Sequence, residues 1–343
     1  MRFAFTEDQL MFRDTARDVL TKECTPGEVR KAWESGSGRA ASVWSTLGET
    51  GVLGATASEA SGGMGMNELD LVLVLEEAGY AALPDPLVET VAVAIPLLEE
   101  LGNPAYARFV DQAVRGDSLI AVAEEGASLV AHAETADLIV FLCGNQVHAV
   151  PASKVELVPQ VSVDRARKVA AVKWSKTPET LVAEGEKAVK AIERARLRAV
   201  LGTSAVLLGL TRRMLDLAVE YAKVRHQFGR PIGSFQAVKH KLSDSLIQQE
   251  FARPMVYRAA YSLATNDPEA ALHVAMAKCY ASDAAKFVAK HALQVHGAIG
   301  YTIECDLHMF MKRAWALAAA WGDAHHHRKQ VANVILGPAP AGK

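Results

Sequence analysis

The stretch Arg225-His-Gln-Phe-Gly-Arg-Pro-Ile-Gly-Ser-Phe-Gln236 lies between two long segments whose apolar residues recur every three or four positions. Such spacing is typical of helices that bury one face, so one helix precedes this stretch and another follows it. Gly229 and Pro231 end the first helix, because glycine has a high entropic cost in a helix and proline lacks an N–H. The sequence therefore predicts a short turn between packed helices that carries two arginines, a glutamine and an aromatic ring.

The side chains of this turn allow two interpretations. Arg225 and Arg230 have planar guanidinium groups that can donate paired, charge-assisted hydrogen bonds to a phosphate. Phe228 offers a ring against which an aromatic or ribose surface can lie. The alternative is a surface turn with solvated arginines, and the sequence of the turn alone leaves both interpretations open.

A second stretch, Gln294-Val-His-Gly-Ala-Ile-Gly-Tyr301, closes another predicted helix that begins near Ala270. Its glycines can end a helix in the left-handed conformation and let a ligand approach backbone N–H groups. Together the two stretches resemble the acyl-CoA dehydrogenase family. The first is similar to its R-x-Q-F-G-R-P-I-x-x-F-Q signature and the second to its Q-x-x-G-G-x-G-Y turn, and the resemblance covers nearly the whole chain.

The resemblance implies a shared cofactor site. In this family both stretches reach across a dimer interface and hold the ADP portion of an FAD that is bound mainly by the neighbouring subunit. Carried over residue by residue, the resemblance implicates Arg225, Gln227, Phe228, Gln294 and Gly297. Ala298 stands where the family has its second glycine, and this departure limits how closely a ligand can approach the backbone there.

Length, composition and charge narrow the classes of protein. The chain has 343 residues, of which 50% are hydrophobic, so it can form two or three domains with large cores. Its formal net charge is −2 and no basic patch with interleaved aromatics is present, so nucleic acid is not an expected partner. No apolar run is long enough for a membrane span, and MRFAFTEDQL has no signal-peptide pattern. We therefore expect a cytoplasmic protein with no membrane contact.

The spacing of cysteine and histidine predicts no metal site. The 4 cysteines lack C-x-x-C spacing, which favours buried free thiols over a zinc site or disulfides. They are Cys24, Cys143, Cys279 and Cys305. His325-His326-His327 are consecutive, and consecutive side chains on a helix point about 100° apart, so they cannot converge on one ion. We interpret them as surface or subunit-contact histidines.

The periodicity predicts a mainly α chain with a small middle β domain. Residues 1–115 form an N-terminal helical domain, residues 116–177 a β domain, residues 178–335 a C-terminal four-helix bundle, and residues 336–343 a disordered tail. Leu181 starts the helical part again, and one last helix runs from about Asp306. The order matches the α-β-α order of the acyl-CoA dehydrogenase family, with an abbreviated β domain.

Local signals predict several elements within these domains. Thr6 and Asn67 are expected to cap helices, residues 91–101 to form a further helix, and Gly144-Asn145 to form the turn of a β-hairpin.

Elements that the family uses to enclose a flavin are missing. Glu124-Glu125-Gly126-Ala127-Ser128-Leu129 stands where the family has a Glu-Pro-Gly-Ala-Gly-Ser-Asp-like loop, and the chain has no Trp-x-Thr segment. In the family these elements cover the flavin ring and its phosphates within the same subunit. The resemblance therefore implies that this subunit does not house a flavin ring of its own.

The general base of the family reaction is also missing from its usual positions. Removal of an α proton requires a carboxylate in a dry site, with a pKa tuned by burial. The family places a glutamate either near the C-terminus, where this chain has Trp321, or on the helix that enters the arginine turn, where it has Ala199. Glu193 lies upstream of the second position. Asp323, two residues beyond the first, is either a displaced base or a helix cap.

The simplest hypothesis is a non-catalytic subunit of a heteromeric acyl-CoA dehydrogenase. The resemblance implies an α₂β₂ assembly similar to those of actinobacterial steroid side-chain β-oxidation. A catalytic partner subunit would supply the glutamate and the acyl-CoA pocket, FAD would be shared with it, and an electron-transfer flavoprotein would accept the electrons. One alternative is a self-sufficient homo-oligomeric acyl-CoA dehydrogenase with a displaced carboxylate such as Asp323. The other is a structural scaffold without flavin.

Overall fold

The computed structural model describes residues 4–337. The chain folds into two compact units. The first unit contains the chain up to Leu75 together with Leu83–Ala199. The second contains Glu76–Ala82 and the chain from Val200 onward. The predicted division into three domains stays a prediction, since these units divide two helices and do not separate helices from strands.

The N-terminal part is helical, as the sequence predicts. Its first helix starts at Thr6, whose hydroxyl accepts the Gln9 N–H while the Gln9 side chain accepts the Thr6 N–H. Asn67 caps α4 by accepting the N–H groups of Leu69 and Asp70. The helices are α1 (Glu7–Glu23), α2 (Pro26–Glu34), α3 (Ala41–Glu49), α4 (Glu68–Ala81), α5 (Ile95–Leu101) and α6 (Ala107–Arg115).

The segment before α5 is wider than an α-helix. Val88–Ala94 is π-helical and is completely buried. Pro96 follows at the start of α5 and has no N–H to donate to the carbonyl of Ala92. A widened turn there is the expected response to the missing hydrogen bond. The predicted helix over residues 91–101 is thus present, but it begins earlier and in a different form.

Two sheets follow among the described residues. One has the strand order β1-β3-β4-β7 and the other the order β2-β6-β5. The hairpin predicted at Gly144-Asn145 joins β3 to β4, and every residue of β3 is buried. The strands are β1 (Ile120–Glu124), β2 (Val130–Ala131), β3 (Leu138–Cys143), β4 (Gln146–Pro151), β5 (Glu156–Gln160), β6 (Val169–Lys173) and β7 (Leu181–Glu184).

The prediction of a helix from Leu181 is wrong. Leu181–Glu184 is β7, which pairs antiparallel with Gln146–His148 of β4. Gly185 then has a φ of 79°, and the helix α7 begins at Glu186. Pairing with a distant strand decides the conformation of this four-residue segment, because local periodicity is weak over so short a length.

The remaining helices are long and pack side by side. Ser262 binds His273 at 2.9 Å and Ser245 contacts His291 at 3.3 Å, so α8 and α9 run antiparallel. The helices are α7 (Glu186–Val224), α8 (Gln236–Ala264), α9 (Ala270–His296), α10 (Leu307–Ala319) and α11 (Ala324–Leu336).

The prediction of one last helix is also wrong. A turn separates α10 from α11, and in it Trp321 and Gly322 have φ angles of 56° and 91°. The side chain of Asp323 then caps α11. The predicted tail at 336–343 is described only at Leu336, which ends α11, and at Gly337. Its other residues lie outside the described part of the chain.

A buried ionic cluster lies in the second unit. Glu76 and Glu77 are only 3% and 4% exposed. Arg212 donates to Glu76 at 3.1 Å and to both carboxylate oxygens of Glu77 at 2.9 Å. The Tyr257 hydroxyl donates to Glu76 at 2.6 Å, and the Arg212 guanidinium lies 4.4 Å from the centre of the Tyr80 ring. One arginine therefore compensates two carboxylates that are almost completely removed from water.

We expect the stability of the chain to fall as the pH is lowered from 7 towards 5. Burial lowers the pKa of His148, His296 and His327 below the ordinary histidine value of about 6.5. The unfolded chain therefore binds more protons than the folded chain in this window, so protonation favours unfolding. Urea denaturation at pH 7, 6 and 5 should show a steadily decreasing midpoint.

Replacement of His327 by glutamine supplies the control for this prediction. The variant has one buried histidine fewer, so its midpoint should depend less steeply on pH than that of the parent chain. A parent midpoint that stays constant or rises on acidification would contradict the prediction.

Candidate functional site

The turn at residues 225–236 is a small β-hairpin that continues directly from α7. The strands β8 (His226–Gln227) and β9 (Arg230–Pro231) pair antiparallel. The two loop residues, Phe228 and Gly229, have φ angles of 54° and 78°. Two positive φ angles are what a type I′ hairpin turn requires.

The tip of the hairpin carries an aromatic ring in a strained position. Phe228 is 91% exposed, and a bulky residue with positive φ is uncommon because its Cβ crowds the backbone. Its ring meets Phe235 edge-on, with centroids 6.1 Å apart, and the Arg230 guanidinium lies 4.2 Å from the Phe235 centroid. Neither burial nor backbone preference explains a phenylalanine here, which points to a role in binding.

The hairpin offers unused hydrogen-bond donors. Arg225 is exposed, and its guanidinium has no ion-pair or hydrogen-bond partner within residues 4–337. Its backbone is fixed, because its N–H donates to the Tyr221 carbonyl at 2.9 Å and its carbonyl accepts from Ile232 at 2.8 Å. The Gln227 side chain donates to the His226 carbonyl at 2.8 Å. The base of the arginine is therefore rigid while its fork remains free to bind an anion.

The glycine turn closes α9. This helix ends at His296, and Gly297 follows with a φ of 65° and a ψ of −143°. A Cβ built on Gly297 would meet no atom within 4 Å, so open space lies beside this backbone. Gln294 and Ala298 are exposed, and so is Tyr301. The turn thus presents backbone and side-chain polar groups at the surface.

One aromatic contact brings the hairpin and the glycine turn together. The Tyr221 and His296 rings are stacked, with centroids 4.6 Å apart and planes inclined by 20°. Tyr221 lies one helical turn before Arg225, while His296 lies between Gln294 and Gly297. All five residues predicted to bind the cofactor therefore lie at one end of the second unit.

The contact between Tyr221 and His296 is not predicted by the sequence. Tyr221 fits the apolar stripe of α7, and His296 stands within the glycine stretch without a recognised partner. The signal that could have found them is their position, since each directly precedes the residues that the resemblance implicates. Their contact itself depends on how α7 and α9 pack.

Comparisons with known proteins place this geometry in a family. Models of the acyl-CoA dehydrogenase N-terminal domain and C-terminal domain match residues 6–117 and 188–336, respectively. The acyl-CoA dehydrogenase IpdE2 of Mycobacterium tuberculosis is 30% identical over 314 residues, which cover 90% of this chain and 91% of that protein. The chain belongs to the acyl-CoA dehydrogenase family.

Further relatives extend the similarity over the full length. IpdE2 of Mycolicibacterium smegmatis is 31% identical over 318 residues, which cover 92% of this chain and 95% of that protein. The crystal structure of the ChsE4-ChsE5 complex from Mycobacterium tuberculosis contains a chain with a TM-score of 0.88 and 26% identity. This match covers 99% of the present chain and 100% of that chain. The predicted acyl-CoA dehydrogenase fold, mainly helical with a small middle β domain, is confirmed.

Ala199 and Trp321, the two positions that the resemblance assigns to the base, carry no carboxylate. Ala199 is completely buried in α7. Trp321 lies in the turn before α11, where its carbonyl accepts a hydrogen bond from Nε2 of His327 at 2.9 Å. This contact identifies the His327 tautomer as the one protonated on Nε2, because a carbonyl can only accept.

Asp323 has the geometry of a helix cap. Its carboxylate accepts the His326 N–H at 2.8 Å, and this hydrogen bond lowers the pKa of Asp323 below its ordinary value. A base that removes a proton from carbon needs the opposite shift, towards higher pKa. The structure therefore favours the interpretation of Asp323 as a cap over its interpretation as a displaced base.

The loop that begins at Glu124 and Glu125, which the resemblance compares with the family's flavin-covering segment, is acidic. Glu124 forms a double hydrogen bond with Arg196, with both N–O distances at 2.6 Å, and Glu125 pairs with Lys176 at 2.5 Å. Both cations are thereby engaged by carboxylates within the first unit. Such a loop offers no free positive charge to the phosphates of a cofactor.

The described residues contain neither a candidate metal site nor a candidate membrane-spanning helix. Residues 4–337 contain no group of three histidine, cysteine, aspartate or glutamate side chains placed to hold a metal ion. Within the same range, no helix is both long and apolar enough to cross a membrane. The four cysteines, all within the described residues, form no disulfide, and all except the half-buried Cys305 are buried. Burial raises the pKa of the Cys143 thiol to about 11, so this thiol is unreactive at neutral pH.

Proposed function

We propose that this chain is the cofactor-supporting subunit of a heteromeric, FAD-dependent acyl-CoA dehydrogenase. The observation that carries the proposal is the Arg225 guanidinium, which is held on a rigid hairpin and has no partner within residues 4–337. An unpaired arginine fork beside an exposed, strained phenylalanine suits the pyrophosphate and the adenosine of a dinucleotide. Members of the acyl-CoA dehydrogenase family use FAD.

The residues present fit the ADP portion of FAD. Arg225 would bind the pyrophosphate, and Phe228 would lie against the adenosine. Gln227 and Gln294 supply amide donors, while the open space beside Gly297 admits a ligand close to the backbone. Bound FAD would supply the acceptor for the hydride that leaves the β carbon of the acyl-CoA. This chain binds and orients the other end of the cofactor.

The catalytic base would belong to the partner subunit. Ala199 and Trp321 cannot take a proton, and Asp323 is engaged as a helix cap. The partner would therefore supply the glutamate that removes the α proton and the pocket that encloses the acyl-CoA. The full-length similarity to a chain of the ChsE4-ChsE5 complex supports an assembly of two different subunits.

The acidic loop supports a single flavin for each pair of subunits. The resemblance places Glu124 and Glu125 where a self-sufficient subunit would cover its own flavin. Because these carboxylates engage Arg196 and Lys176, neither cation is free to bind the cofactor phosphates. We therefore propose an α₂β₂ assembly in the cytoplasm, with an electron-transfer flavoprotein as acceptor. Because each pair has one acyl pocket in place of two, a bulky substrate such as a steroid side-chain CoA thioester can be accommodated.

Flavin stoichiometry tests this proposal. The chain should be purified alone and also together with the acyl-CoA dehydrogenase subunits encoded beside it, with mass and flavin absorbance recorded for each preparation. We expect colourless protein from the chain alone and about one FAD per two chains from the complex, as a symmetric assembly with one site per pair requires. A yellow, active homo-oligomer would contradict the proposal, and so would a stable complex without flavin.

A further inference from the structure

The stacked pair Tyr221 and His296 has an unusual position for a core contact. Tyr221 lies one helical turn before Arg225 and His296 lies between Gln294 and Gly297, so their contact joins the end of α7 to the end of α9. The residues that follow each ring, in the hairpin and in the glycine turn, lie largely at the surface. The relative placement of the two segments therefore depends on what holds the two helix ends together.

Burial and a hydrogen bond together restrict the orientation of the His296 ring. The residue is 7% exposed, and its Nδ1 lies 2.8 Å from the Ala292 carbonyl, so Nδ1 carries the proton and donates it. Burial lowers the pKa of His296, which keeps the ring neutral at pH 7. The ring is thus held in one orientation, and its face is available to Tyr221.

The hairpin packs against the helix end that carries Tyr221, and the glycine turn packs against the helix end that carries His296. Beyond Tyr221, the Arg225 N–H donates to the Tyr221 carbonyl, and Gly233 returns the chain so close to Ala222 that a Cβ would lie 2.9 Å from its carbonyl oxygen. Beyond His296, a Cβ on Gly300 would lie 3.0 Å from the Cβ of His296. The hairpin and the glycine turn therefore move with the rings that precede them.

We infer that Tyr221 and His296 form a positioning pair that sets the separation between the arginine hairpin and the glycine turn. The inference rests on the proposed function, since it concerns how two segments bind one FAD molecule. Neither ring needs to touch the cofactor. The pair acts through Arg225 and Gly297, because a ligand that bridges two arms binds best when their spacing is fixed in advance.

The test measures FAD affinity of the two-subunit complex with substitutions at each ring. Tyr221→Leu and His296→Leu remove the stacking, whereas Tyr221→Phe and His296→Phe retain an aromatic face. We expect each leucine variant to bind FAD roughly tenfold more weakly, the upper range for loss of an aromatic pair. The phenylalanine variants should stay within about twofold of the parent complex. The double leucine variant should be little worse than a single one, since both lose the same contact.

Hydrogen exchange of this chain alone separates positioning from local stability. Tyr221→Leu should accelerate exchange both in residues 225–235 and in residues 297–303, because coupling between two segments is reciprocal. A purely local structural role would accelerate exchange only in the segment that follows the substitution and would overturn the inference. Parental FAD affinity in both leucine variants would overturn it as well.

The failure of this inference differs from failure of the proposed function. If Arg225→Ala weakens FAD binding while the leucine variants bind like the parent, the pair has no positioning role and the shared site stands. If Arg225→Ala itself binds FAD like the parent, the shared site fails and the positioning inference fails with it.

Discussion

Replacing Arg225 by alanine should greatly reduce the FAD content of the complex between this chain and its catalytic partner. A hydrogen bond to a charged group contributes about 1.5–3 kcal/mol, so the loss of one of the two bonds that the fork can donate should weaken FAD binding by at least roughly 10-fold, and the loss of both by more than about 100-fold. The folding stability of the chain should change little, because the side chain is exposed and has no partner within residues 4–337. Equilibrium dialysis with FAD and a thermal melt measure the two effects separately.

Arg230→Ala is the matched control for this experiment. This substitution removes the same charge from the same hairpin. The guanidinium of Arg230, however, lies over the Phe235 ring, whereas that of Arg225 has no partner within residues 4–337. We expect this variant to retain most of its FAD affinity, with a small loss from weaker long-range attraction. Arg225→Lys should fall between parent and alanine variant, since it keeps the charge but loses the bidentate geometry.

Equal losses in Arg225→Ala and Arg230→Ala would show that the hairpin acts only through its total charge. An unchanged flavin content in Arg225→Ala would favour the structural scaffold without flavin. The two results contradict different steps of the proposal. Equal losses would contradict specific binding of the pyrophosphate by Arg225. Unchanged flavin content would contradict any role of the hairpin in cofactor binding.

The sequence predicted those turns and helix ends that depend on interactions between residues close together in the chain. The hairpin around Gly144-Asn145 follows from two apolar runs and a two-residue turn, and the helix caps at Thr6 and Asn67 follow from side chains that accept backbone N–H groups. The hairpin at Phe228 also appears as a turn in the sequence. The proposal that it binds a cofactor comes from the family resemblance, because a turn with arginines does not by itself indicate a particular ligand.

Long-range contacts determined the parts that the sequence did not predict. Leu181–Glu184 becomes a strand because β4 offers it an edge, and no local pattern records that partner. The break between α10 and α11 is visible only as Gly322-Asp323 within a continuous apolar pattern. The stacking of Tyr221 on His296 depends on the packing of two helices that are far apart in the sequence. Periodicity cannot report contacts of this kind.

The buried ionic cluster of Glu76, Glu77 and Arg212 also depends on long-range contacts that the sequence does not predict, and it affects the stability of the chain. Glu76 and Glu77 are adjacent acidic residues on a helix, a pattern that normally indicates an exposed face. Both are instead buried, and the arginine that compensates them lies on α7. Burial of two carboxylates is tolerated only while their hydrogen-bond partners are present, because the cost of desolvating a charge is high.

Arg212→Met should therefore destabilise the chain by about 3–5 kcal/mol, the usual cost of removing one partner from a buried ion pair. The Tyr257 hydroxyl would remain the donor to Glu76, and its own pKa is already raised by burial and by that carboxylate. It cannot neutralise the negative charge that the lost guanidinium leaves behind. Urea denaturation at pH 7 measures the loss in free energy of unfolding.

Two further variants decide whether the loss comes from uncompensated buried charge. Arg328→Met breaks a pair with Asp283 in which both side chains are about half exposed, and it should cost no more than about 1 kcal/mol. Adding Glu76→Gln and Glu77→Gln to Arg212→Met removes the stranded charges, so part of the lost stability should return. If Arg212→Met alone were as mild as Arg328→Met, water or a rearranged neighbour would have to solvate the carboxylates. If the triple variant were no better than Arg212→Met, the arginine would stabilise the chain through its packing on Tyr80 and not through its charge.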